Sequence, residues 1–364
     1  MIQNDQRFMA LAISLGRRGL GHCWPNPSVG CVIVKDGRIV GRARTADGGA
    51  PHAETQALEQ AGENARGATV YVSLEPCAHH GRTPPCANAL EAAGVARVVI
   101  GASDPNPVVN GQGVSILRSA GIEVTEGVMR PEAEGLHQGF FLNVNEGRPI
   151  VTLKLANSFD GRIATASGES QWITGPDARR LVHGMRANHD AVMVGGGTAR
   201  ADDPSLNVRG MGDVPQPVRV ILSRKLDLPL SGKLAQTAND IPVWICHGAD
   251  APKELRDVWT GLGAKLLECR LIGQQVDPTS ALHALGKEGL TRVFCEGGGA
   301  LAASLLAADL VDELVGFTAG LALGAEGQSS IGALGIYRLA EAKRFQLTET
   351  RAVGNDVLSR WSRA

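Results

Sequence analysis

The stretch PHAETQALEQ, residues 51–60, places a histidine and a glutamate two positions apart, where a strand-like run gives way to a helical pattern. His52 could simply cap the helix, with Glu54 as a first-turn acid that complements the helix dipole. Alternatively, the pair belongs to a metal site. Further ligands must then lie elsewhere in the chain, because Zn²⁺ takes about four of them.

Such ligands occur in the stretch EPCAHHGRTPPC, residues 75–86, which follows the strand-like run VYVSL and precedes the helical pattern CANALEAAG. Pro85 suits the first turn of that helix, so Cys86 is expected near a helix N-terminus, where the dipole favours a thiolate. Cys77 lies at the other end of the loop. With His52, the two thiolates make three protein ligands and leave a fourth position for water, as in catalytic zinc sites.

The combined pattern is H-A-E…P-C-x₈-C, which differs from the base-deaminase signature H-x-E…P-C-x-x-C in the spacing of the cysteines. Zinc in such a site lowers the pKa of its bound water. Glu54 would take the water's proton as hydroxide attacks an amidine-like ring carbon, then deliver it to departing ammonia. His79 and His80 could compete as ligands, although their adjacency favours a loop contact or solvated surface. The pattern therefore predicts a zinc-dependent hydrolytic deaminase.

Length and charge restrict the classes of partner. The 364 residues are enough for two or three domains, and 36 basic against 37 acidic side chains give no broad electrostatic footprint for nucleic acid. Asp5 and Arg7 precede the apolar residues of the N-terminal segment, so no export signal is expected. Asp309, Asp312 and Glu313 interrupt the most apolar late segment, which excludes a membrane span there. We expect a cytoplasmic protein with small-molecule partners and no membrane or nucleic-acid partner.

Two series of strands and helices follow one another along the chain. The first, to about residue 145, predicts an α/β sandwich that includes a hairpin with Asp36-Gly37 as its turn. Polar and turn residues in NVNEGRP, residues 143–149, then interrupt the pattern. The second series has mostly continuous apolar runs, typical of buried strands in a largely parallel sheet. The predicted domains are therefore residues 1–146 and 147–364.

Glycine runs follow two strand-like segments of the second domain, in HDAVMVGGGTARADDPSLNVR and RVFCEGGGALAASLL. Gly297, Gly298 and Gly299 precede a helix, so their N–H groups could bind a pyrophosphate. Neither run is G-x-G-x-x-G, so the Rossmann fingerprint is absent and plain tight turns remain an alternative. Five cysteines outside the zinc motif are expected to be small core or strand residues, namely Cys23, Cys31, Cys246, Cys269 and Cys295.

The motifs PNPSVGCVIV, PHAE, EPCAHHGRTPPC and ASDPNP stand in the order and spacing of the pyrimidine deaminase domain of riboflavin biosynthesis. Nearly the whole chain resembles the bifunctional diaminohydroxyphosphoribosylaminopyrimidine deaminases and 5-amino-6-(5-phosphoribosylamino)uracil reductases. The resemblance implies a cytidine-deaminase-like α/β/α sandwich followed by a dihydrofolate-reductase-like α/β domain. It also implies deamination of 2,5-diamino-6-ribosylamino-4(3H)-pyrimidinone 5′-phosphate, then NADPH reduction of the product's ribose to ribityl, by a homo-oligomer.

In the deaminase domain the resemblance implies that four residues hold the base and the ribose phosphate: Asn26, Arg82, Asp104 and Asn106. An arginine offers a planar cationic fork for phosphate. Turn chemistry is an equal alternative for the other three, since Asn-Pro and Asp-Pro steps are common in loops. Two positions depart from the pattern, because Thr45 and Gln56 stand where the family often has histidines.

In the reductase domain the resemblance implies two sets of contacts. The nicotinamide-cofactor contacts would be Ala156, Trp172, Thr198, Asp202, Ser223 and Gly298. The substrate contacts would be Ser170, Arg186, Leu206, Arg209 and Glu296. Lys154 would steady the open-chain sugar imine that hydride attacks, and Glu296 would assist proton transfer. A strand-edge lysine that discourages aggregation is an equal alternative for Lys154.

The resemblance also favours NADPH over NADH, and one local run supports it. The strand-like PVRVILS ends at Ser223-Arg224-Lys225, where a nucleotide-binding sheet usually meets the adenosine ribose. Arg224 and Lys225 would give a 2′-phosphate charge-assisted partners. The alternative is that both are solvated loop charges.

Overall fold

The computed structural model describes residues 2–78, 84–106 and 110–363. The chain divides into two compact units, Met1–Gly147 and Arg148–Ala364. Each unit has its own sheet, of five strands in the first and nine in the second.

The first unit alternates helices and strands. In chain order they are α1 (Ile2–Arg17), β1 (Gly30–Lys35), β2 (Arg38–Arg44), α2 (Ala53–Ala61), β3 (Thr69–Leu74), α3 (Cys86–Ala92), β4 (Arg97–Ala102), α4 (Gln112–Ser119), β5 (Glu123–Glu126) and α5 (Arg130–Glu146). The strand order in the sheet is β2-β1-β3-β4-β5. Strand β1 pairs antiparallel with β2 and β3, whereas the β3–β4 and β4–β5 pairs are parallel.

Helices cover both faces of this sheet, and two glycines show how closely. A Cβ on Gly30 would lie 1.9 Å from the carbonyl oxygen of Ala12 in α1, and one on Gly41 would lie 2.1 Å from that of Ala57 in α2. Gly41 pairs with Ile33, an odd number of positions from Gly30, so the two glycines face opposite sides of the sheet. The predicted α/β/α sandwich is therefore confirmed.

Helix α5 corrects the sequence-based prediction. The polar run from residue 143 does not interrupt the structure, because residues 143–146 form the last turn of α5. Gly147 then ends the helix at φ 67°, a left-handed conformation that glycine adopts without steric cost. The hairpin turn at Asp36 and Gly37 has positive φ at both residues, as a two-residue turn between twisted strands requires.

The second unit is longer. Its elements are β6 (Ile150–Ser158), β7 (Arg162–Ala164), α6 (Pro176–Ala187), β8 (Ala191–Gly195), α7 (Gly196–Asp202), β9 (Val218–Leu222), α8 (Lys233–Gln236), β10 (Val243–His247), α9 (Lys253–Gly261), β11 (Lys265–Glu268), β12 (Leu271–Ile272), β13 (Gln275–Val276), α10 (Pro278–Lys287), β14 (Arg292–Cys295), α11 (Gly299–Ala307), β15 (Glu313–Ala319), β16 (Gln328–Ser329), β17 (Phe345–Val353) and β18 (Asp356–Arg363).

The large sheet of this unit has the order β11-β10-β9-β8-β14-β6-β15-β18-β17. The strands from β11 to β15 are parallel, whereas β18 runs antiparallel to both β15 and β17. Leu153 of β6 and Met193 of β8 both pair with Cys295 of β14. The carboxyl ends of these three strands therefore meet at one edge, where ligands bind in open α/β sheets.

The five cysteines expected in the core are all buried. Among the residues that the structure describes, no helix combines the length and apolar character needed to cross a membrane.

Candidate active sites

The three expected zinc ligands of the first unit converge from separate elements. His52 is the N-cap residue of α2, Cys86 is the first residue of α3, and Cys77 follows β3. Pro85 is the N-cap of α3, one position earlier than predicted. Two ligands therefore lie at helix N-termini, where the partial positive charge of the helix favours a bound anion or thiolate.

The spacing of the ligand atoms fits a tetrahedral metal. His52 Nδ1 lies 3.3 Å from Cys86 Sγ and 3.6 Å from Cys77 Sγ, and all three atoms lie within 4.8 Å of one another. Zinc–ligand bonds of about 2.0–2.3 Å place the ligands of one tetrahedral ion roughly 3.5–3.8 Å apart. One imidazole and two thiols are also a donor set that zinc prefers, so these residues fit the ion.

The two thiols shift each other's pKa in opposite directions. Hydrogen bonding from Cys86 holds the pKa of Cys77 down to about 4, against the opposing effect of burial. The same contact and burial raise the pKa of Cys86. A hydrogen bond to Cys77 raises the pKa of His52, although burial opposes it. A cation in the gap would favour the second thiolate, since metal ligands must be deprotonated.

Glu54 lies in the first turn of α2, next to this cluster. Its side chain is only 3% exposed. Burial, with the nearby charge of Cys77, raises the pKa of its carboxyl group to about 7. A carboxyl group with such a pKa can both accept and donate a proton near neutral pH.

A cavity of about 310 Å³ opens beside the cluster and is lined by His52, Glu54, Cys77, Asn26 and Asp104 among others. Asn26 donates from Nδ2 to the carbonyl oxygen of Gly49 at 2.8 Å. Two of the four expected substrate contacts thus line the same cavity as the zinc ligands.

The other two expected contacts differ. Asn106 is not among the described residues that line the cavity, but its N–H donates to Oδ1 of Asp104 at 2.8 Å. Arg82 lies outside the described residues, as do His79 and His80.

Thr45 and Gln56, where the family often has histidines, both bind backbone. Thr45 Oγ1 accepts from the N–H of Val29 at 2.9 Å and donates to the carbonyl oxygen of Pro27 at 3.1 Å. Gln56 Nε2 donates to the carbonyl oxygens of Arg44 at 2.7 Å and Pro51 at 3.0 Å. In this chain the two positions therefore brace the segment that leads to His52.

In the second unit, Glu296 joins two of the expected site residues at the end of β14. Arg186 Nε donates to Glu296 Oε1 at 2.5 Å, and Lys154 Nζ lies 3.7 Å from Glu296 Oε2. Their side chains are 10–16% exposed. Lys154 is on β6, next to the central strand of the sheet, so it is not an edge lysine.

The charges in this cluster depend on one another. Burial acts to raise the pKa of Glu296, but Arg186 and Lys154 outweigh it and the net shift is downward. Burial lowers the pKa of Lys154, while Glu296 partly restores it. A carboxylate between two cations keeps them charged, and a lysine of lowered pKa releases its proton more readily than a free lysine.

Two residues that the sequence analysis missed extend this cluster. The carbonyl oxygen of Asn207 accepts from Arg186 Nη1 at 2.8 Å, and Asn207 Oδ1 is buried without a partner among the described residues. His183 Nδ1 accepts from the N–H of Arg209 at 3.2 Å. His183 lies one helical turn before Arg186, so the i, i+3 spacing on α6 could have identified it.

The remaining expected substrate contacts differ in how accessible they are. Arg209 is exposed, and Ser170 is partly exposed in the loop between β7 and α6. Leu206 is only 2% exposed, packs in a hydrophobic cluster and has a φ of 52°. The 2% covers the whole residue, so both its side chain and its backbone are almost inaccessible to a ligand.

A second cavity, of about 430 Å³, lies at the carboxyl ends of β8 and β9. Its lining includes Gly195–Gly197, Ser223, Arg224 and Arg200, and the start of α11. A Cβ on Gly196 would lie 3.2 Å from Arg200 Nη1 and 3.3 Å from Ser223, so a side chain here would make tight contacts with both residues. A glycine-walled cavity beside helix starts and cationic side chains fits the phosphates of a dinucleotide.

Arg224 is not a free solvated charge. It donates from Nε and Nη2 to Asp250 Oδ2, at 2.9 and 2.5 Å, and from Nη1 to Gln274 Oε1. Lys225, the next residue, is exposed. A phosphate in this cavity must therefore share Arg224 with Asp250.

Two other expected cofactor contacts bind each other across the glycine runs, since the N–H of Gly298 donates to Thr198 Oγ1 at 3.2 Å. Neither these two nor the other three are among the described residues that line the second cavity. Ala156 packs partly buried against a hydrophobic cluster, and Asp202 is exposed at the end of α7. Trp172 is 66% exposed, with the Arg179 guanidinium 4.5 Å from its ring centroid.

Comparison with known proteins accounts for both units. Residues 2–102 match the cytidine and deoxycytidylate deaminase zinc-binding region, and residues 149–359 match the RibD C-terminal domain. The chain is 42% identical to the riboflavin biosynthesis protein RibD of Escherichia coli (strain K12), over 97% of this chain and 98% of that protein. The RibD of Aquifex aeolicus is 40% identical, over 97% of each chain.

Two solved structures superpose on nearly the whole chain. Form 1 of Acinetobacter baumannii RibD superposes with a TM-score of 0.89 and 42% identity, covering 100% of both chains. The diaminohydroxyphosphoribosylaminopyrimidine deaminase/5-amino-6-(5-phosphoribosylamino)uracil reductase of Thermotoga maritima superposes with a TM-score of 0.87 and 34% identity, covering 100% of this chain and 99% of that one.

Proposed function

The chain belongs to the RibD family of bifunctional deaminase/reductases in riboflavin biosynthesis, and on that premise we propose which residues carry out each reaction. Residues 1–146 deaminate 2,5-diamino-6-ribosylamino-4(3H)-pyrimidinone 5′-phosphate. Residues 147–364 then reduce the ribose of 5-amino-6-(5-phosphoribosylamino)uracil to ribityl. The observation that carries the proposal is the convergence of His52, Cys77 and Cys86 beside the buried carboxyl group of Glu54.

In the deaminase, His52, Cys77 and Cys86 would hold zinc, which supplies an acidified water as the nucleophile. Glu54 takes a proton from the nucleophile and passes it to the departing amine. The net change is replacement of a ring C–NH₂ by C=O, with one water consumed and one ammonia released. Burial raises the pKa of this carboxyl group, which favours uptake of the proton, and the carboxylic acid that forms can then donate it.

The cavity next to Glu54 would hold the pyrimidine and its ribose phosphate. Asn26 and Asp104 line it, and an amide with a carboxylate can pair with the donors and acceptors of a pyrimidine edge. Asn106 is tied to Asp104 and completes this wall. Arg82, in the loop between the two cysteines, would provide the cation for the phosphate.

In the reductase, NADPH would bind along the glycine-walled cavity and supply a hydride. Ser223 and Arg224 would contact it from the lining of that cavity, and five further residues would contact it from outside the lining: Thr198, Gly298, Ala156, Trp172 and Asp202. The N–H groups at the start of α11 would face a pyrophosphate, and the helix dipole would add to the attraction.

The Glu296 cluster would hold the open-chain form of the ribosylamine. Lys154 steadies the C=N group of the sugar imine as its carbon gains hydride. Glu296 orients Lys154 and assists delivery of the proton to nitrogen, which completes the two-electron reduction. Arg186 and Arg209 would face the ribose phosphate, while Ser170 would contact the remainder of the substrate.

A purified, zinc-loaded sample tests both assignments. The diaminopyrimidine substrate should release one ammonia per molecule, and the deaminated product should then oxidise one NADPH per molecule. Cytidine and a single-stranded oligonucleotide serve as controls, because a nucleoside or nucleic-acid deaminase would act on one of them. Ammonia release from either control but not from the pathway pyrimidine would overturn the proposal. A zinc-stabilised binding protein without catalysis would release ammonia from none.

We also propose a cytoplasmic homo-oligomer without nucleic-acid or membrane partners. The near-neutral charge and small-molecule substrates support this setting. Strand β17 is at an edge of its sheet and Leu347 on it is 51% exposed, so this edge can pair with another copy. Sedimentation velocity would distinguish an oligomer from a monomer.

A further inference from the structure

The side chain of Glu75 has no role in the chemistry described above, yet it is only 4% exposed and lies two residues before Cys77. Its carboxylate faces a set of backbone N–H groups. Oε1 accepts from Gly113 at 3.1 Å and Val114 at 3.4 Å, and Oε2 accepts from Gly111 at 3.2 Å and Asp104 at 3.5 Å.

The two oxygens have different partners. Gly113 and Val114 are in the first turn of α4, where N–H groups lack helical acceptors, so Oε1 caps this helix from outside. Oε2 binds N–H groups at residues 104 and 111, and these residues delimit the segment that includes Asn106. One carboxylate therefore fixes both ends of the segment that carries Asp104 and Asn106.

The start of α4 packs tightly against the backbone that precedes Cys77. A Cβ on Gly113 would lie 2.0 Å from the carbonyl oxygen of Pro76 and 3.3 Å from Glu75 Oε1. The N-terminus of α4 thus packs directly against the residues that lead to Cys77. The Glu75 carboxylate therefore ties Asp104 and Gly111 to the backbone that leads to Cys77.

We propose that Glu75 is a positioning residue of the deaminase, which holds Asp104 and Gly111, on either side of Asn106, in the arrangement that binds the pyrimidine substrate. This inference rests on the proposed substrate contacts of Asp104 and Asn106. Glu75 also lines the deaminase cavity, but the hydrogen bonds of its carboxylate to described residues all go to backbone N–H groups, and none goes to a zinc ligand atom. It sets substrate affinity through the segment, and it leaves metal binding and the proton transfer by Glu54 intact.

Glu75→Gln tests the inference because it keeps the size of the side chain and replaces one oxygen by NH₂. Whichever oxygen is replaced, two N–H groups lose their acceptor and face a donor instead. We expect the deaminase KM to rise about tenfold or more, while kcat changes less than about threefold and zinc stays stoichiometric. Glu132→Gln, an exposed glutamate on α5, is the matched control and should leave KM unchanged.

Asn106→Ala, alone and combined with Glu75→Gln, separates this inference from the proposed function. Asn106→Ala should raise KM. The KM of the double variant should be close to that of the single variant with the higher KM, and the two increases should not multiply, because both changes act through one segment. Multiplied effects would overturn the inference. So would an unchanged KM in Glu75→Gln when Asn106→Ala raises it, although the substrate assignment would then stand. An unchanged KM in Asn106→Ala would overturn the substrate assignment, and the inference with it.

Metal content gives an independent criterion. Loss of zinc from Glu75→Gln would show that Glu75 acts on the ligand loop and would overturn the inference. If Glu75→Gln does not fold, Glu75→Asp keeps the charge on a side chain one methylene shorter. This variant should retain zinc and show a raised KM with a nearly unchanged kcat, and a KM equal to that of the unaltered chain would count against the inference.

Discussion

His52 Nδ1 lies 3.3 Å from Cys86 Sγ, although 34 positions separate the two residues. The contact exists because α2 and α3 point their N-termini at the same place, and the loop that follows β3 brings Cys77 there as well. The arrangement leaves three ligand atoms around a space of the size that zinc requires.

Cys86→Ser should therefore deplete the chain of zinc. Serine replaces a thiolate by a hydroxyl group, which is a poor zinc ligand and has no charge at neutral pH. Atomic absorption on protein purified without added metal should find much less than one zinc per chain. Cys23→Ser is the control, because the Cys23 thiol contacts Ser28 Oγ and the carbonyl oxygen of Thr45, which a hydroxyl group can also do. Stoichiometric zinc in Cys86→Ser would contradict the ligand assignment.

Glu54→Gln should abolish deamination and leave reduction nearly intact. The amide keeps the volume of the buried side chain but cannot shuttle a proton, so we expect the deaminase kcat to fall by about 10²–10⁴-fold. Ammonia release measures this loss, and NADPH oxidation with the deaminated substrate measures the second activity. Zinc analysis and thermal unfolding show whether the variant is folded and loaded. Equal loss of both activities in such a sample would contradict independent sites.

Glu296→Gln should impair reduction and leave deamination intact. Removing the carboxylate leaves the buried cations of Arg186 and Lys154 without their common partner, which burial makes costly. The reductase kcat should fall by about 10²-fold or more, while ammonia release is unchanged. Glu326→Gln, an exposed glutamate in the same unit, should alter neither activity. A normal reductase kcat in Glu296→Gln would exclude the proposed role in proton transfer.

The sequence was most informative where structure is local. The starts of α2 and α3 follow from cap and proline signals over a few residues, so the approximate places of His52 and Cys86 were predictable. The buried strands β8, β9 and β14 are mostly apolar, with Arg219 in β9 and Arg292 at the start of β14, and they were expected as members of a parallel sheet.

Elements without a clear apolar period were missed. Helix α5 has glycines and polar residues among its apolar ones, so the pattern at residues 143–146 resembled a linker. Strand β17 is mostly exposed and forms from pairing with β18, not from burial of one face. Contacts between distant residues were also beyond local patterns. Nothing near Glu75 indicates that its partners are N–H groups 29–39 positions later.

The last prediction concerns the choice between NADPH and NADH, for which the structure refines the expectation from Ser223-Arg224-Lys225. Arg224 lines the glycine-walled cavity but is bound to Asp250, so Asp250 competes with a 2′-phosphate for the guanidinium group. The ion pair also holds Arg224 in place, which lowers the entropy cost of binding a phosphate. The two variants below distinguish the attraction of the 2′-phosphate by Arg224 and Lys225 from the competition of Asp250 for Arg224.

Replacing Arg224 and Lys225 by alanine should raise the NADPH KM by about 10-fold or more, because the 2′-phosphate then loses its charge-assisted hydrogen bonds. The NADH KM should stay nearly constant, since NADH has no 2′-phosphate. Asp250→Asn should lower the NADPH KM, because it removes a negative charge 2.5 Å from Arg224 Nη2 and leaves an amide that binds the guanidinium more weakly. Titration calorimetry with NADP⁺ and NAD⁺ checks both variants apart from turnover. If alanine at both positions weakens the binding of the two cofactors equally, Arg224 and Lys225 do not bind the 2′-phosphate. A rise in the NADPH KM of Asp250→Asn would show that Asp250 orients Arg224 and does not compete for it.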